Sequence, residues 1–400
     1  MFSFCSLQNR LSDLCSDMTD RDRNPLDEVD NRAKAGRGAI ANPAGRYERY
    51  GARQVDDGWA QPSPAALETK MGFLAEDEED EEKVATELHI DTTRTVINHI
   101  TSPDLPYMRS INPYRGCEHG CIYCYARPSH SWLGFSPGLD FETKIFYKPN
   151  AAELLRYELA AKNYKVEPIT LGSNTDCYQP VERQLKITRG ILEVLHEHDH
   201  PLTIITKSAL VARDIDLLAP MAKKNLAHVL VSFTTLDPQL ARTMEPRAAA
   251  PWKRLATMRA LAKAGIPVTV MTAPLIPGLN DMEMEKLLEA AYAAGARQAH
   301  YTLVRLPYEL KDLFREWLEK HRPERANHVL SLIRDTRGGK LYDADFSQRR
   351  RGTGAYADLI ASRFALAAKR IGFNRGEGRD FNKDLFHPPE RNGQLGFTFT

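Results

Sequence analysis

From about residue 95 onward, apolar side chains recur with two periods in alternation. Short stretches rich in β-branched and aromatic residues, with every second position apolar, give way to longer ones with a 3.6-residue repeat. Thr143–Tyr147 reads as a strand and Ala151–Lys162 as a helix with a Leu/Tyr face. Strand Pro168–Leu171 precedes helix Glu182–His196, and strand Leu202–Thr206 precedes helix Val211–Lys223. Strand His228–Phe233 leads to helix Trp252–Ala264, and strand Pro267–Thr272 leads to helix Glu283–Ala294. Strand Ala299–Val304 closes the series. Gly265 and Gly295 stand just past two of these helices, where a C-terminal cap favours glycine.

Strands that alternate with helices through short turns imply a parallel sheet with helices on its outer face. Six such units predict an α/β fold, a partial (β/α)6 TIM-like barrel. In that architecture chemistry sits on loops at the C-terminal ends of the strands. Polar or Gly-rich clusters do follow the strands: Gly172–Asp176, Lys207-Ser208, Thr234-Thr235 and Pro277-Gly278-Leu279-Asn280. Helices near Asp312–His321, Ala326–Asp335 and Tyr356–Arg370 predict a C-terminal cap. The expected division is an extended, largely disordered region over 1–95, the barrel over 96–310, and the cap with its tail over 311–400.

Composition sharpens the N-terminal part. Residues 1–95 hold 12 basic and 20 acidic side chains, including seven consecutive acids at Glu76–Glu82. Such a run reads as a solvated linker. Within this region Gly36–Glu48 reads as an extended segment that docks on the core. Met18 offers an alternative start that would leave Cys5 and Cys15 in a dispensable extension. The other 305 residues carry a surplus of nine positive charges, much of it late in the chain, with Arg349-Arg350-Arg351 in one run. A basic catalytic part is compatible with an anionic substrate, nucleic acid included. No apolar run has the length of a membrane span, which predicts no membrane association. No secretory h-region is visible either, so the expected localisation is cytoplasmic.

Three of the six cysteines crowd into Arg115–Arg127, at Cys117, Cys121 and Cys124, with C-x3-C-x2-C spacing and Tyr123 before the last. Three thiolates are one short of the four that a 4Fe–4S cubane normally takes, so one iron is left open for chemistry. Structural zinc is the other reading, with His119 or His130 as the fourth ligand, but no second C-x2-C unit exists. Disulfides fit poorly in a long chain without a secretory signal.

The cysteine loop, the partial barrel and the strand-end clusters together resemble the radical SAM superfamily, and within it the branch related to spore photoproduct lyase. The specific elements are residues 115–125, Thr-Asp-Cys-Tyr-Gln-Pro-Val-Glu at 175–182, Met-Glu-Pro-Arg at 244–247 and Ala-Pro-Leu-Ile-Pro-Gly-Leu-Asn-Asp at 273–281. The resemblance implies Cys117, Cys121 and Cys124 as ligands of a 4Fe–4S cluster that binds S-adenosylmethionine (SAM). It places Tyr123 and Ile276 near the adenine, and Ser173, Asn174, Thr175 and Asp176 at the amino group. Lys207 falls at the carboxylate and Ser232 at the ribose. Tyr125 matches a tyrosine near the lyase's hydrogen-transfer route.

One position departs from the lyase. Its hydrogen-donating cysteine, after the second strand, is best matched here by Ser173, whose O–H bond is too strong for that role. Cys177, four residues on, is the candidate thiol of this region. The implied activity is reductive cleavage of SAM to a 5′-deoxyadenosyl radical, with a flavodoxin- or ferredoxin-type electron donor. The substrate is unidentified: a nucleic-acid base or lesion is one candidate, and a modified peptide, tRNA or small metabolite is open beside it. The competing reading is a non-catalytic iron–sulfur or zinc module for partner recognition.

Overall fold

The computed structural model describes residues 36–47, 84–375 and 380–390. The acidic run, Cys5, Cys15 and Met18 lie outside the described residues, as does most of the segment expected to be disordered. Among the described residues ten strands are formed: β1 (Glu87–Ile90), β2 (Asn98–His99), β3 (Arg109–Ile111), β4 (Tyr114–Arg115), β5 (Lys144–Tyr147), β6 (Ile169–Leu171), β7 (Leu202–Thr206), β8 (Ala227–Ser232), β9 (Val268–Leu275) and β10 (Gln298–Leu303). Seven of them make one sheet, ordered β10-β9-β8-β7-β6-β3-β2. The six from β3 to β10 in that sheet are parallel, and β2 adds an antiparallel edge. The sheet does not close, as a partial barrel requires.

Strand alternation builds two environments. Ile169, Leu171, Leu202, Ile204, Val229, Val231, Val268 and Val270 are buried in the main apolar core. Their neighbours Thr170, Thr203, Ile205, His228, Leu230, Thr269 and Met271 line an internal cavity instead. Because successive side chains on a strand point to opposite faces, the same segments serve both the helix-facing core and a lumen of mixed polar and apolar side chains.

The structure moves one expected strand. Thr143–Tyr147 does form a strand, β5, but it pairs with β1 and β4 in a separate three-stranded sheet. The first barrel strand is β3, only three residues long and separated from the cysteine loop by the short β4. Three residues are too few to show an alternating pattern, whereas β5 carries that pattern whichever sheet it joins.

Two predicted helices are divided. Lys186, at φ 52°, separates Glu182–Leu185 from Ile187–Glu197. The Glu182 carboxylate accepts from the Thr188 amide at 3.0 Å, which anchors the second helix across that break. Val211–Lys223 begins as a 3-10 turn over Ala209–Asp214 and becomes α-helical at Ile215. A helix over Pro238–Met244, started by the Asp237 side chain on the Gln239 amide, adds to the elements expected from the sequence.

After β10 the chain forms helices Leu310–His321, Pro323–Asp335 and Ala355–Ile371. Ala355–Ile371 packs on the barrel helix Met284–Ala293. The first two share a second apolar cluster with Cys121, Ile122 and Tyr123, and Phe314 and Trp317 are fully buried in it. Part of the C-terminal region thus backs the cysteine loop. No helix among the described residues is long and apolar enough to cross a membrane.

Candidate cofactor site

The cysteine loop follows β4 and is held from four directions. From above, Glu142 forms a fully buried ion pair with Arg127. Arg127 donates in turn to the carbonyls of Cys121 at 2.9 Å, Gly120 at 3.2 Å and Gly138 at 2.9 Å. One guanidinium therefore fixes two carbonyls of the loop and ties them to Gly138, a task suited to its planar fork of donors. From the strand side, Gln179 accepts from the Glu118 amide at 2.8 Å and donates to the Gly116 carbonyl at 3.2 Å. Glu118 accepts from the Val181 amide at 2.7 Å and pairs with Arg247 at 3.1 Å.

The third support is the Met-Glu-Pro-Arg stretch. Met244 O accepts from the Ile122 amide at 3.1 Å and His119 O accepts from the Arg247 amide at 3.3 Å. Glu245 accepts the Tyr123 hydroxyl, pairs with the buried Arg254, and accepts from Thr234 Oγ1 at 2.9 Å. The fourth is the docked segment at Arg37. The Gly38 and Ala39 amides donate to the Glu142 carboxylate at 2.9 and 2.8 Å, and Arg37 donates to Glu142 O at 2.7 Å. The expected docking of Gly36–Glu48 is seen over its described part, residues 36–47.

Cys117, Cys121 and Cys124 line one large cavity of about 1860 Å³, which reaches down the barrel lumen. Tyr123, Tyr125, Ser173, Asn174, Asp176, Lys207 and Ser232 line it too, so the structure brings ten of the thirteen expected site residues to one wall system. Lys207 Nζ lies 5.7 Å from the centroid of the Tyr123 ring. Tyr125 donates its hydroxyl to Ser173 O and is 44% exposed toward the cavity.

The other three do not line the cavity. Thr175 is buried and donates to Tyr114 O at 2.7 Å, holding the turn to β4. Ile276 is fully buried among Cys121, Tyr123 and Leu279, packing behind the loop. Cys177 lies in the main apolar core, where burial pushes its thiol well up and the neighbouring Asp176 and Glu182 charges add to this. A neutral thiol packed as a small apolar side chain matches those surroundings.

Asp176 reaches the cavity but its carboxylate is already saturated. Oδ1 accepts from the Tyr178 amide at 2.9 Å and Thr206 Oγ1 at 2.8 Å. Oδ2 accepts from the Lys207 amide at 2.7 Å and faces His119 Nδ1 at 3.3 Å. Burial alone would raise this carboxyl, but the His119 charge and these hydrogen bonds hold it down at about 2. Its four acceptances use the capacity of a carboxylate. Asp176 thus ties the cysteine loop to the ends of β6 and β7 and has no spare lone pair for an ammonium.

Sequence reasoning missed the residues that support these groups. Asn112, just after β3, accepts from the Asn174 amide at 3.0 Å and donates to Ser173 Oγ at 3.4 Å. Glu142, Arg127, Gln179, Glu245 and Arg254 are equally unmarked by spacing. Met-Glu-Pro-Arg and Gln179 stood inside stretches singled out above, and those stretches were the available signal.

The donor set fits an iron–sulfur group. Burial raises the Cys117 and Cys121 thiols, with Asp176 adding to the effect at Cys117 and Lys207 opposing it at Cys121. Thiolates at such positions need the positive charge of a bound metal group. Among the described residues, no three His, Cys, Asp or Glu side chains are arranged to hold a single ion. A cubane takes each cysteine on a different iron, so its ligands need not converge on one point.

The fold and this loop define an α/β partial-barrel protein whose candidate metal ligands sit at the C-terminal ends of the strands. A radical SAM superfamily model matches residues 111–291. An uncharacterized protein of Mycobacterium tuberculosis is 38% identical over 232 residues, which cover 58% of this chain and 68% of that protein. An uncharacterized protein of Methanocaldococcus jannaschii is 31% identical over 188 residues, 47% of this chain and 67% of that one. Among solved structures, a spore photoproduct lyase mutant superposes with a TM-score of 0.49 at 16% identity, covering 71% of this chain and 79% of that one. The chain belongs to the radical SAM superfamily.

Proposed function

We propose that the protein is a radical SAM enzyme in which Cys117, Cys121 and Cys124 hold a 4Fe–4S cluster. SAM then binds beside it, against Tyr123, Ser173, Lys207 and Ser232. The observation that carries this reading is that the three sulfurs and these four side chains line one cavity. When bound, the cluster and SAM would supply a 5′-deoxyadenosyl radical for hydrogen abstraction, after one electron from a flavodoxin- or ferredoxin-type donor.

The chain's own residues orient and shield. Lys207 has no carboxylate partner among the described residues, so its ammonium is available to a carboxylate of SAM. Its backbone is pinned by Asp176, which limits where that charge can go. Glu245 fixes the Tyr123 hydroxyl and so sets the plane of a ring suited to packing on an adenine. Thr175, Ile276 and Asp176 act on SAM indirectly, by shaping the turn, the back of the loop and the β7 end. Tyr125 opens onto the cavity beside the third cysteine and is the candidate to meet the substrate. The basic surplus of residues 96–400 supports an anionic substrate, with a nucleic-acid base or lesion among the candidates.

Anaerobic reconstitution with iron, sulfide, SAM and dithionite tests the reading. The expected result is a cluster and release of 5′-deoxyadenosine. A purified, folded protein that takes up no cluster, or that holds one and never cleaves SAM, would sink it.

A further inference from the structure

We propose that Arg305, Arg350 and Arg351 form an anion subsite on the cavity wall that holds a phosphate group of the substrate. The proposal deepens, and rests on, the reading of this cavity as the reaction site. All three arginines line the cavity. Its volume of about 1860 Å³ exceeds the roughly 300–1,000 Å³ usual for one small ligand. A cofactor against the cysteines therefore leaves room for a second molecule.

Four of the five acidic side chains lining the cavity are engaged elsewhere, and the fifth, Asp380, pairs with none of the three arginines. Asp104 pairs with Arg349 at 2.5 Å, Glu167 with Lys383 at 2.8 Å, and Asp176 with His119. Asp345 turns its carboxylate onto the amide and hydroxyl of Ser347. Among the described residues, no carboxylate pairs with any of the three arginines. Arg350 spends one nitrogen on the backbone carbonyl of Asp104. Arg305 lies with its guanidinium carbon 4.8 Å from the centre of the Tyr125 ring, and its Nε is buried without a hydrogen-bond partner. A buried, unpartnered donor is costly and marks a place where a partner belongs. Burial raises the neighbouring Tyr107 phenol, and the charges of Arg350 and Arg305 oppose it, so both bear on the same corner of the cavity.

The number of donors selects the ligand. Each guanidinium offers five N–H donors, far more in sum than the two oxygens of a carboxylate can accept. A phosphate presents more oxygens, and as a monoester up to two charges, which suits clustered arginines. Tyr125 follows Cys124 directly, so a group held at Arg305 lies one side chain away from the cysteine loop. The phosphate comes either from the terminal phosphomonoester of a small molecule or from the phosphodiester of a nucleic-acid chain.

Calorimetric titration of the full-length protein at low salt tests this with three probes: inorganic phosphate, glycerol 3-phosphate, and a single-stranded hexadeoxynucleotide lacking a terminal phosphate. Saturable phosphate binding is expected, weakened roughly tenfold in each of Arg305→Gln and Arg351→Gln. Tighter binding of glycerol 3-phosphate assigns a phosphomonoester, and tighter binding of the oligomer a phosphodiester. Absence of phosphate binding by the wild type overturns the proposal, as does unchanged binding by both folded variants. SAM titration of the same samples keeps the two readings apart. Variants that lose phosphate but keep SAM affinity support a distinct subsite, and variants that lose both overturn it. A wild type that binds phosphate but never SAM refutes the cofactor reading alone.

Discussion

Gly38 lies against the carbonyl oxygen of Gly120, so close that a methyl group on its Cα would fall inside that oxygen's van der Waals sphere. The contact joins a segment 79 residues upstream of Cys117 to the loop that carries the first two cysteines. It works together with the Gly38 and Ala39 amides on Glu142. The N-terminal segment is therefore part of the loop's foundation.

Gly38→Ala should detach this segment or shift the loop. The clashing atom is backbone, which cannot rotate aside, so a loss of ~1–3 kcal/mol is expected, as for other overpacked sites. Urea unfolding measures it. Iron release from the reconstituted protein in air should also become faster. Wild-type stability together with wild-type iron retention would show that the contact matters little.

Arg254 is buried on Glu245, and Glu245 also receives the Tyr123 hydroxyl. Arg254→Met leaves that carboxylate buried without its charge partner and should cost ~3–5 kcal/mol. Adding Glu245→Gln to this variant should recover part of the loss. Denaturant titrations of the single and double variants provide the comparison, and strict additivity would argue against the coupling.

Lys207→Ala should weaken SAM binding roughly tenfold or more, through loss of a charge-assisted contact to a carboxylate. Iron and sulfide content should stay at the wild-type level, because Lys207 holds no cysteine. Equilibrium dialysis with labelled SAM reads the first effect and metal analysis the second. Undiminished SAM affinity would remove Lys207 from the site.

Acid should destabilise the fold before its carboxylates titrate. His130 is buried in a box of Phe135, Phe141 and Phe146, and burial pushes its ring down to about 4. Asp140 opposes that shift and Arg127 adds to it. His200, buried beside Tyr164 and Phe386, is likewise lowered by burial to about 4. Unfolded histidine titrates near 6.5. Between about 6.5 and 4 the unfolded chain thus binds more protons, and stability falls as the pH drops through that window. Below about 4 these two groups add no further loss. Urea midpoints from pH 7.5 to 4.5 should decline, and His130→Phe should flatten the slope. A pH-independent midpoint would contradict both assignments.

The cysteine spacing is local, so Cys117, Cys121 and Cys124 were legible without any fold. Strand-end residues such as Lys207 and Ser232 were legible once the alternation of strands and helices set a barrel, because barrel geometry gathers those ends. Thr175 and Asp176 show the limit. Adjacent residues of a turn point in different directions, and only the partner atoms decide which is spent on structure. Thr175 is taken by Tyr114 O, and Asp176 by two amides, a hydroxyl and His119. The first barrel strand, Arg109–Ile111, was invisible for a different reason: it is shorter than one readable period.

Periodicity and spacing, both properties of neighbouring residues, determined the parallel αβ order and the three-thiolate loop. Tertiary structure decided what holds that loop and what faces it. Glu142 and Gly38 are separated by 104 residues, Glu245 and Tyr123 by 122, and Arg305 stands 180 positions beyond Tyr125. No local pattern encodes such pairings. They arise when burial brings charged and polar groups out of water and obliges each to find a partner. Arg305 Nε is one of the buried atoms still unpaired, and on the cavity wall it leaves that obligation to a ligand.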